Sequence, residues 1–568
     1  MGRDAGILAR QVRHELATLL RTPITLILSV AFPLAFFVLL AALLGNETID
    51  VRGGVRLAQF LAPGMASFGV VMASFSFLAV GLAEARATGV LKRQGGTPLP
   101  RWALLGGRVG AAVLLGLLAC GLVLGTGAAF YGVQILGRTM LAVVVTLAVA
   151  SLTFSMLGLA LALLLPTPQA TLAVTNGIVI PLAFVSDIFM VGGQMPAWME
   201  SLGWAFPLKH LVALFGDALN PFLAGSGFQL DHLAVLAAWG VAGAALAAWA
   251  LRPGRPEATA RTRRVRARPG DAVPRRAARP SAAALVGGQV AHTHATLWRD
   301  ASAVFFAVVF PVVLVAVVPT VNGGGDLVMD DGQQLGVFYA ATMAVYGAAV
   351  TAYVNMPSTL AEDRERGALK RVRGTPLPTW AMLAGRVVGA LVVALLTLVL
   401  IAVLARVMFA APLQPGWAVA LGTFVLAAVC FAVLGIAVAS LVRSAQGAVG
   451  VALGTLLPLA FISDIFVVGV AYPPVVDAIG WFFPLRHAAR AMTDAVAPGA
   501  AGPAWAHLAV LAAWTVTGVV VLALRFRWEP HEAGARPGRR TRGERRRRGE
   551  RRSRRPRAVA PARADAPT

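Results

Sequence analysis

Lysine is nearly missing from this chain of 568 residues, and cysteine is scarcer still. Lys92, Lys209 and Lys370 are the only lysines, and none follows a glycine. A Walker A loop needs Gly-x-x-x-x-Gly-Lys-Ser/Thr, because its backbone amides cradle phosphate and its lysine reaches the outer oxygens. The chain therefore carries no such loop, and no alternation of strand and helix patterns offers a nucleotide fold. Cys120 and Cys430 lie far apart inside apolar runs, with no Cys-x-x-Cys or His-rich setting. They read as buried small residues, not as a disulfide or a metal site. Acidic residues are few as well, 26 against 50 basic ones. The centres of the long apolar runs hold essentially none, which argues against a twelve-span secondary transporter driven by an ion gradient, since such carriers place carboxylates near the bilayer midplane.

What is abundant is apolar sequence. The chain is 58% hydrophobic with a mean hydropathy of +0.73, yet its formal net charge is +24, so greasy and basic parts are segregated. Arginine crowds into the N-terminal segment (Arg3, Arg10, Arg13, Arg21), a central stretch from Arg252 to Arg279, and a tail from Arg525 to Arg563. Between them lie apolar runs of the length a helix needs to cross a ~30 Å hydrocarbon layer. The first half offers Ile24 to Leu44, Leu61 to Ala83, Leu104 to Phe130, Leu141 to Leu165, Thr171 to Val191 and His232 to Leu251. The first run is too long for a signal-peptide core and has no small-residue cleavage site after it, so it reads as a retained span. Basic segments favour the cytoplasm, which puts the N-terminus and the central arginine stretch on one side and demands an even number of crossings between them.

The second half repeats the pattern: Ala301 to Pro319, Leu335 to Met356, Ala381 to Met408, Ala418 to Val442, Ala448 to Val468 and His507 to Leu524. "PLAFVSDIF" at Pro181 answers "PLAFISDIF" at Pro458, and "HLAVLAAW" occurs letter for letter at His232 and His507. Corresponding positions lie 275 to 278 residues apart. Each half begins and ends in the cytoplasm, so the repeat is parallel, related by a pseudo-twofold axis along the membrane normal. The expected fold is all-α integral membrane: twelve transmembrane helices in two parallel six-helix repeats. The expected divisions are a first repeat over residues 1–251, a cytoplasmic Arg/Pro-rich linker over 252–284, a second repeat over 285–528 and a disordered Arg-rich tail over 529–568. Retention of basic segments inside, with attraction to anionic lipid of about 1 kcal/mol per residue, accounts for the tail without nucleic acid.

One phrase occurs twice between the second and third spans of a half: "LKRQGGTPLPRWALLGGR" from Leu91 and "LKRVRGTPLPTWAMLAGR" from Leu369. A short polar helix precedes each copy. Proline disfavours helix for the residue before it, so Thr97-Pro98 with Pro100, and Thr375-Pro376 with Pro378, end that helix in a rigid elbow. Gly96 and Gly374 permit the turn, Trp102 and Trp380 fall at the interface level, and Arg108 and Arg386 snorkel to the headgroups. The copies differ in charge. Glu362, Asp363, Arg364, Glu365 and Arg366 make a dense cluster in the second half, where the first has Glu84 followed by Ala85, Arg86, Ala87 and Thr88.

The charged stretch ending in "LKRVRGTPLPTWAMLAGR", followed by "PLAFISDIFVVGVAYPPVVDAIGWFFPLRH", resembles the membrane subunit of type-2 ATP-binding-cassette exporters of drugs, lipids and polysaccharides, here as two six-span permeases fused. The resemblance implies coupling helices that receive the stroke of two copies of a separate cytoplasmic ATP-binding subunit, through Glu84, Lys92, Arg93, Gly96, Thr97, Pro98 and Pro100 in one half and Glu362, Asp363, Glu365, Lys370, Arg371, Gly374, Thr375, Pro376 and Pro378 in the other. It also implies that this chain binds no cofactor, with ATP and magnesium held by the partner. The second half, denser in charge, should grip its partner more firmly.

Between the fifth and sixth spans of each half, about 40 residues are too apolar for a free loop and are broken by Pro and Gly, so short re-entrant or interfacial helices are expected at the outer end. Asp187 and Phe189, with Lys209 and His210, and Asp464 and Phe466, with Arg486 and His487, mark this cap or gate. Phe68 and Phe75 are seven residues apart, hence on one helical face, and map by the repeat to Tyr346 and Tyr353. Aromatics paired across a pseudo-twofold axis suit a bulky hydrophobic or amphipathic solute. Arg3 to Arg21 is amphipathic and should lie in the inner interface. His14 aligns with His292, without a suitably spaced second ligand for a metal. A composition rich in Ala, Arg, Gly and Pro points to a high-GC bacterium, with the chain in its plasma membrane, both termini cytoplasmic, and drug or antibiotic efflux as the expected task.

Overall fold

The computed structural model describes residues 2–21, 23–43, 46, 48–49, 55–188, 195–252, 281–321, 324–325, 327–329, 332–412, 416–466, 472–500 and 502–525. Nearly all of them are helical, as expected where apolar runs must satisfy every backbone group within their own segment. Turns and loops join the helices, and the strand pairings among the described residues are short: Thr48–Ile49 against Val55–Arg56, and a bridge between Val328 and Gln334. The expected linker, apart from its first residue and its last four, and the expected tail lie outside the described residues, as does Phe189.

Among the described residues ten helices are long and apolar enough to cross a membrane: Leu57–Ala87, Trp102–Phe130, Gly137–Leu164, Pro168–Val185 and Leu230–Ala250 in the first half, and Ala301–Thr320, Leu335–Glu365, Thr379–Phe409, Trp417–Leu441 and Trp505–Arg525 in the second. Two more, Ser29–Ala42 and Gly447–Phe461, are apolar but shorter. The expected count of twelve is reached only by including these two. Two short helices follow the fifth span of each half, Ala197–Trp204 with Pro207–Ala218 and Pro474–Phe482 with Pro484–Val496. Prolines open three of the four, where a missing N–H costs nothing.

Among the described residues four stretches are π-helical, and they correspond pairwise at an offset of 278 residues: Ile27–Ala31 with Phe305–Val309, and Met72–Phe77 with Val350–Asn355. The first pair ends one residue before Phe32-Pro33 and Phe310-Pro311 respectively. A proline ring inside a helix clashes with the carbonyl four residues back, and a widened turn relieves the clash. For Pro311 that carbonyl is Ala307 O, and Thr397 of the ninth span donates its hydroxyl to it at 3.2 Å. The second pair faces glycine. A Cβ on Gly158 would stand 2.7 Å from Phe75 O, and one on Gly435 would stand 2.2 Å from Ala352 O. Only glycine lets the fourth and tenth spans approach these carbonyls so closely.

Each half has its own hydrophobic core, and each core borrows from the other. Ala173 of the fifth span packs in the second-half core, and Phe461 of the eleventh packs in the first-half core. In the same way Pro168–Val185 packs on Ala301–Val304 and Phe310–Val321, while Ala445–Phe461 packs on Pro23–Leu26. The two contacts exchange under a twofold rotation, which is the symmetry expected of a parallel repeat.

Candidate coupling elbows, pathway and cap

The second span does not stop where its apolar run ends. Leu57–Ala87 runs unbroken into the polar segment, and Leu335–Glu365 does the same in the second half. The break comes at Gly89 and Gly367, which adopt φ of 72° and 69°, a left-handed conformation that costs other residues roughly 1–2 kcal/mol. Short helices follow, Val90–Gly95 and Ala368–Arg373, then the proline elbow. This corrects the expectation of one polar helix turned at Gly96 and Gly374. Those glycines keep right-handed φ of −85° and −77°, and the turn is made a helix earlier. Lys92, Arg93, Gly96, Thr97 and Pro98 are exposed, as are Lys370, Arg371, Gly374, Thr375 and Pro376, while Pro100 and Pro378 are half-buried where the next span starts. Trp102 and Trp380 expose 49% and 54% of their surface.

Arg108 and Arg386 do not snorkel free. Arg386 pairs with Asp363, and Arg108 lies 3.5 Å from Glu15. The counterpart of Asp363 in the first half is Ala85, and the counterpart of Glu15 in the second is Thr293. One arginine thus finds its acid in the preceding span, and its twin finds it in the N-terminal helix Gly2–Leu20, which packs along the third span. Glu362 pairs with Arg366 one turn on, and Glu365 accepts a hydrogen bond from Ala445 N at 2.9 Å. Glu84 is exposed.

At the opposite end, Asp187 and Asp464 close the fifth and eleventh spans in left-handed conformation, φ 60° and 56°. Each meets the cation expected of it, in different surroundings. Lys209 Nζ lies 3.6 Å from Asp187, whose side chain is 52% exposed. The Asp464 side chain is only 6% exposed and lies 3.6 Å from Arg486 and 2.7 Å from Arg490. Tyr472 donates its hydroxyl to Asp464 at 3.0 Å, and Arg486 reaches Asp477 at 2.6 Å while covering the rings of Tyr472 and Trp481. Burial, then the Asp464 carboxylate, pushes the Tyr472 hydroxyl above its ordinary value.

His210 and His487 do not touch those carboxylates. Nδ1 of His210 faces Nδ1 of His232 at 2.9 Å, and Nδ1 of His487 faces Nδ1 of His507 at 2.9 Å. The other nitrogen of His210 meets Trp204 O at 2.9 Å, and that of His487 meets Trp481 O at 2.7 Å. A carbonyl only accepts, so in the neutral state His210 and His487 carry their proton on Nε2 and accept at Nδ1, and His232 and His507 donate. Trp204 and Trp481 stack on the donor rings. Each half thus binds its cap helix to its last span through the same three side chains. His232 and His507 were missed as site residues although they head the identical "HLAVLAAW", which read only as a marker of the span. Among the described residues no cluster of three or more His, Cys, Asp or Glu could hold a metal ion.

Phe68 and Tyr346, both buried, join one aromatic series across the two halves. Phe68 lies 5.8 Å from Phe32, Phe32 lies 5.7 Å from Phe36, and Phe36 lies 4.2 Å from Phe461 of the eleventh span. Phe461 lies 4.8 Å from Phe466, which lies 5.0 Å from Tyr346, itself 6.0 Å from Phe310. Phe75 and Tyr353 fall inside the π-helical stretches, where the wider turn means that seven-residue spacing no longer places a side chain under its neighbour. Tyr353 bonds Thr455 at 3.0 Å instead.

Residues 9–219 and 290–496 each match the family model described as ABC-2 type transporter. A comparison with curated proteins gave no match. Two matches, one to each repeat, cover most of the chain, each ending before the last span of its half: the chain belongs to the ABC-2 type transporter family as a fused, duplicated membrane permease.

Proposed function

We propose that this permease expels a hydrophobic or amphipathic compound, such as a drug, an antibiotic or a lipid-like molecule, across a bacterial plasma membrane, with both termini in the cytoplasm and two copies of a separate ATP-binding subunit docked on its elbows. The observation that carries this reading is the pair of exposed basic helices, Val90–Gly95 and Ala368–Arg373, each set off by a left-handed glycine before a proline elbow. Basic segments favour the cytoplasmic side. ATP and magnesium belong to the partner, since no Walker A sequence exists in the chain. The aromatic series between the halves closes the path at rest and lines it when the halves part. Moving such a pair of halves from 1:99 to 99:1 takes about 5.5 kcal/mol of differential binding, which the partner supplies by engaging both elbows. Ion-gradient drive has less support, because essentially no carboxylate occupies the span centres. The full chain, tagged and purified in mild detergent from its own membranes, should bring down one ATP-binding protein at two copies per chain. Recovery without any nucleotide-binding partner would count against this reading.

A further inference from the structure

Resting on the exporter reading, we propose that Arg86 and Arg364 are positioning residues that carry movement of the elbow helices into the contact between the two halves. They stand 278 residues apart, each three residues before the left-handed glycine that starts the elbow. Arg364 is only 3% exposed. Its Nη1 donates to Ala439 O at 2.8 Å and its Nη2 to Val442 O. Arg86 repeats the grip on Leu163 O at 3.5 Å and on Leu165 O. These carbonyls end the fourth and tenth spans, where the last turn has no donors of its own and the helix dipole presents its negative pole.

What the arginines join gives the grip its meaning. The turn beyond Leu165 and Val442 is short, and the next helices begin at Pro168 and Ala445. Glu365, beside Arg364, also accepts from the first amide of the eleventh span, Ala445 N. The fifth and eleventh spans are the elements that pack on the opposite half. A push on either elbow therefore reaches the inter-half contact through one guanidinium fork and one tight turn. The planar fork spans two carbonyls at fixed spacing, which a lysine ammonium cannot do. Arg364 and Glu365 hold both sides of the turn in the second half. In the first, Ala87 stands where Glu365 would be and offers no carboxylate to the amide beyond the turn.

The reporter is a cysteine pair across the contact. A Cβ on Gly177 would lie 3.3 Å from the Phe305 ring, so Gly177→Cys with Phe305→Cys, in a Cys120→Ala, Cys430→Ala background, reads inter-half separation by crosslinking. With the copurifying ATP-binding subunit, the parent's crosslinking should change on ATP plus vanadate. Arg86→Gln with Arg364→Gln should keep bound subunit and ATP hydrolysis but lose that change, and Arg→Lys at both sites should restore only part. A full response in the double variant, or a loss that merely follows loss of bound subunit, overturns the assignment. If the double variant is not monodisperse, Arg86→Gln alone and Arg364→Gln alone are read the same way: partial loss supports the assignment, full response overturns it. A parent that binds no subunit or never responds defeats the exporter reading itself, a different outcome from a responding parent with responding variants.

Discussion

Asp187 and Asp464 hold the same place in the two halves and will not cost the same to remove. Asp464 is buried between Arg486 and Arg490, so Asp464→Ala takes a carboxylate from two cations, one of them 4% exposed and left to Asp477. Breaking such a pair costs about 3–5 kcal/mol. Asp187 is half in solvent, where water screens its pairing with the buried Lys209, so its removal costs less. Thermal unfolding in detergent should show a large drop in midpoint for Asp464→Ala and a small one for Asp187→Ala; equal drops would mean that the caps are held alike. Asp217, on the cap helix of the first half, gives a pH test. Burial raises its pKa above 3.8, reinforced by Asp231 and opposed by the Gln229 hydrogen bond and His232. A folded carboxyl with a raised pKa holds its proton more tightly than the unfolded one, so it costs stability once pH exceeds the raised value. Asp217→Asn keeps an acceptor for Gln229, and should raise the midpoint at pH 8 while leaving it unchanged at pH 4; a midpoint raised equally at both would tie the effect to packing. The lysine and arginine partners of Asp187 and Asp464 were legible because the cap motifs place them in matching positions. Arg490, Tyr472 and Asp477 were not, because nothing in their spacing shows that three elements converge on one carboxylate.

At the scale of elements, the elbows were legible and their hinge was misplaced. Proline dictates the extended run after Thr97 and Thr375, but three glycines stand near the first turn and two near the second, and sequence alone does not say which adopts positive φ. Gly89→Ala and Gly367→Ala should each cost roughly 1–2 kcal/mol from the left-handed backbone alone, whereas Gly96→Ala and Gly374→Ala, at right-handed φ, should be close to neutral. Comparing the four midpoints checks this, and a reversed order would move the hinge back. The π-helical stretches were not legible at all. The one before Pro311 depends on Thr397, 86 residues further on, and the one at Val350–Asn355 depends on Gly435 meeting Ala352 O. Gly435→Ala should therefore disturb the tenth span against the eighth, lowering the midpoint more than Gly422→Ala, where an added Cβ meets nothing within 4 Å.

For the whole molecule, duplication was the feature most plainly written, because repeated phrases keep a nearly constant offset over both halves. The exchange of contacts was not, since Ala173 and Phe461 look like any small or aromatic residue in a span until the halves are set together. Fusion frees the halves to diverge, and they have done so at both ends: acid for Arg108 from Glu15 but for Arg386 from Asp363, and lysine on a half-exposed Asp187 but arginines and a tyrosine on a buried Asp464. The central claim is that energy enters through the elbows from a nucleotide-hydrolysing partner. It is tested most directly in vesicles containing the full chain and its copurified ATP-binding subunit, loaded with a fluorescent amphipathic dye. The account predicts dye movement that requires ATP hydrolysis, persists when proton and sodium gradients are collapsed, and stops when Lys370 and Arg371 are changed to Glu. Movement driven by an ion gradient with the chain alone, indifferent to ATP, would contradict it.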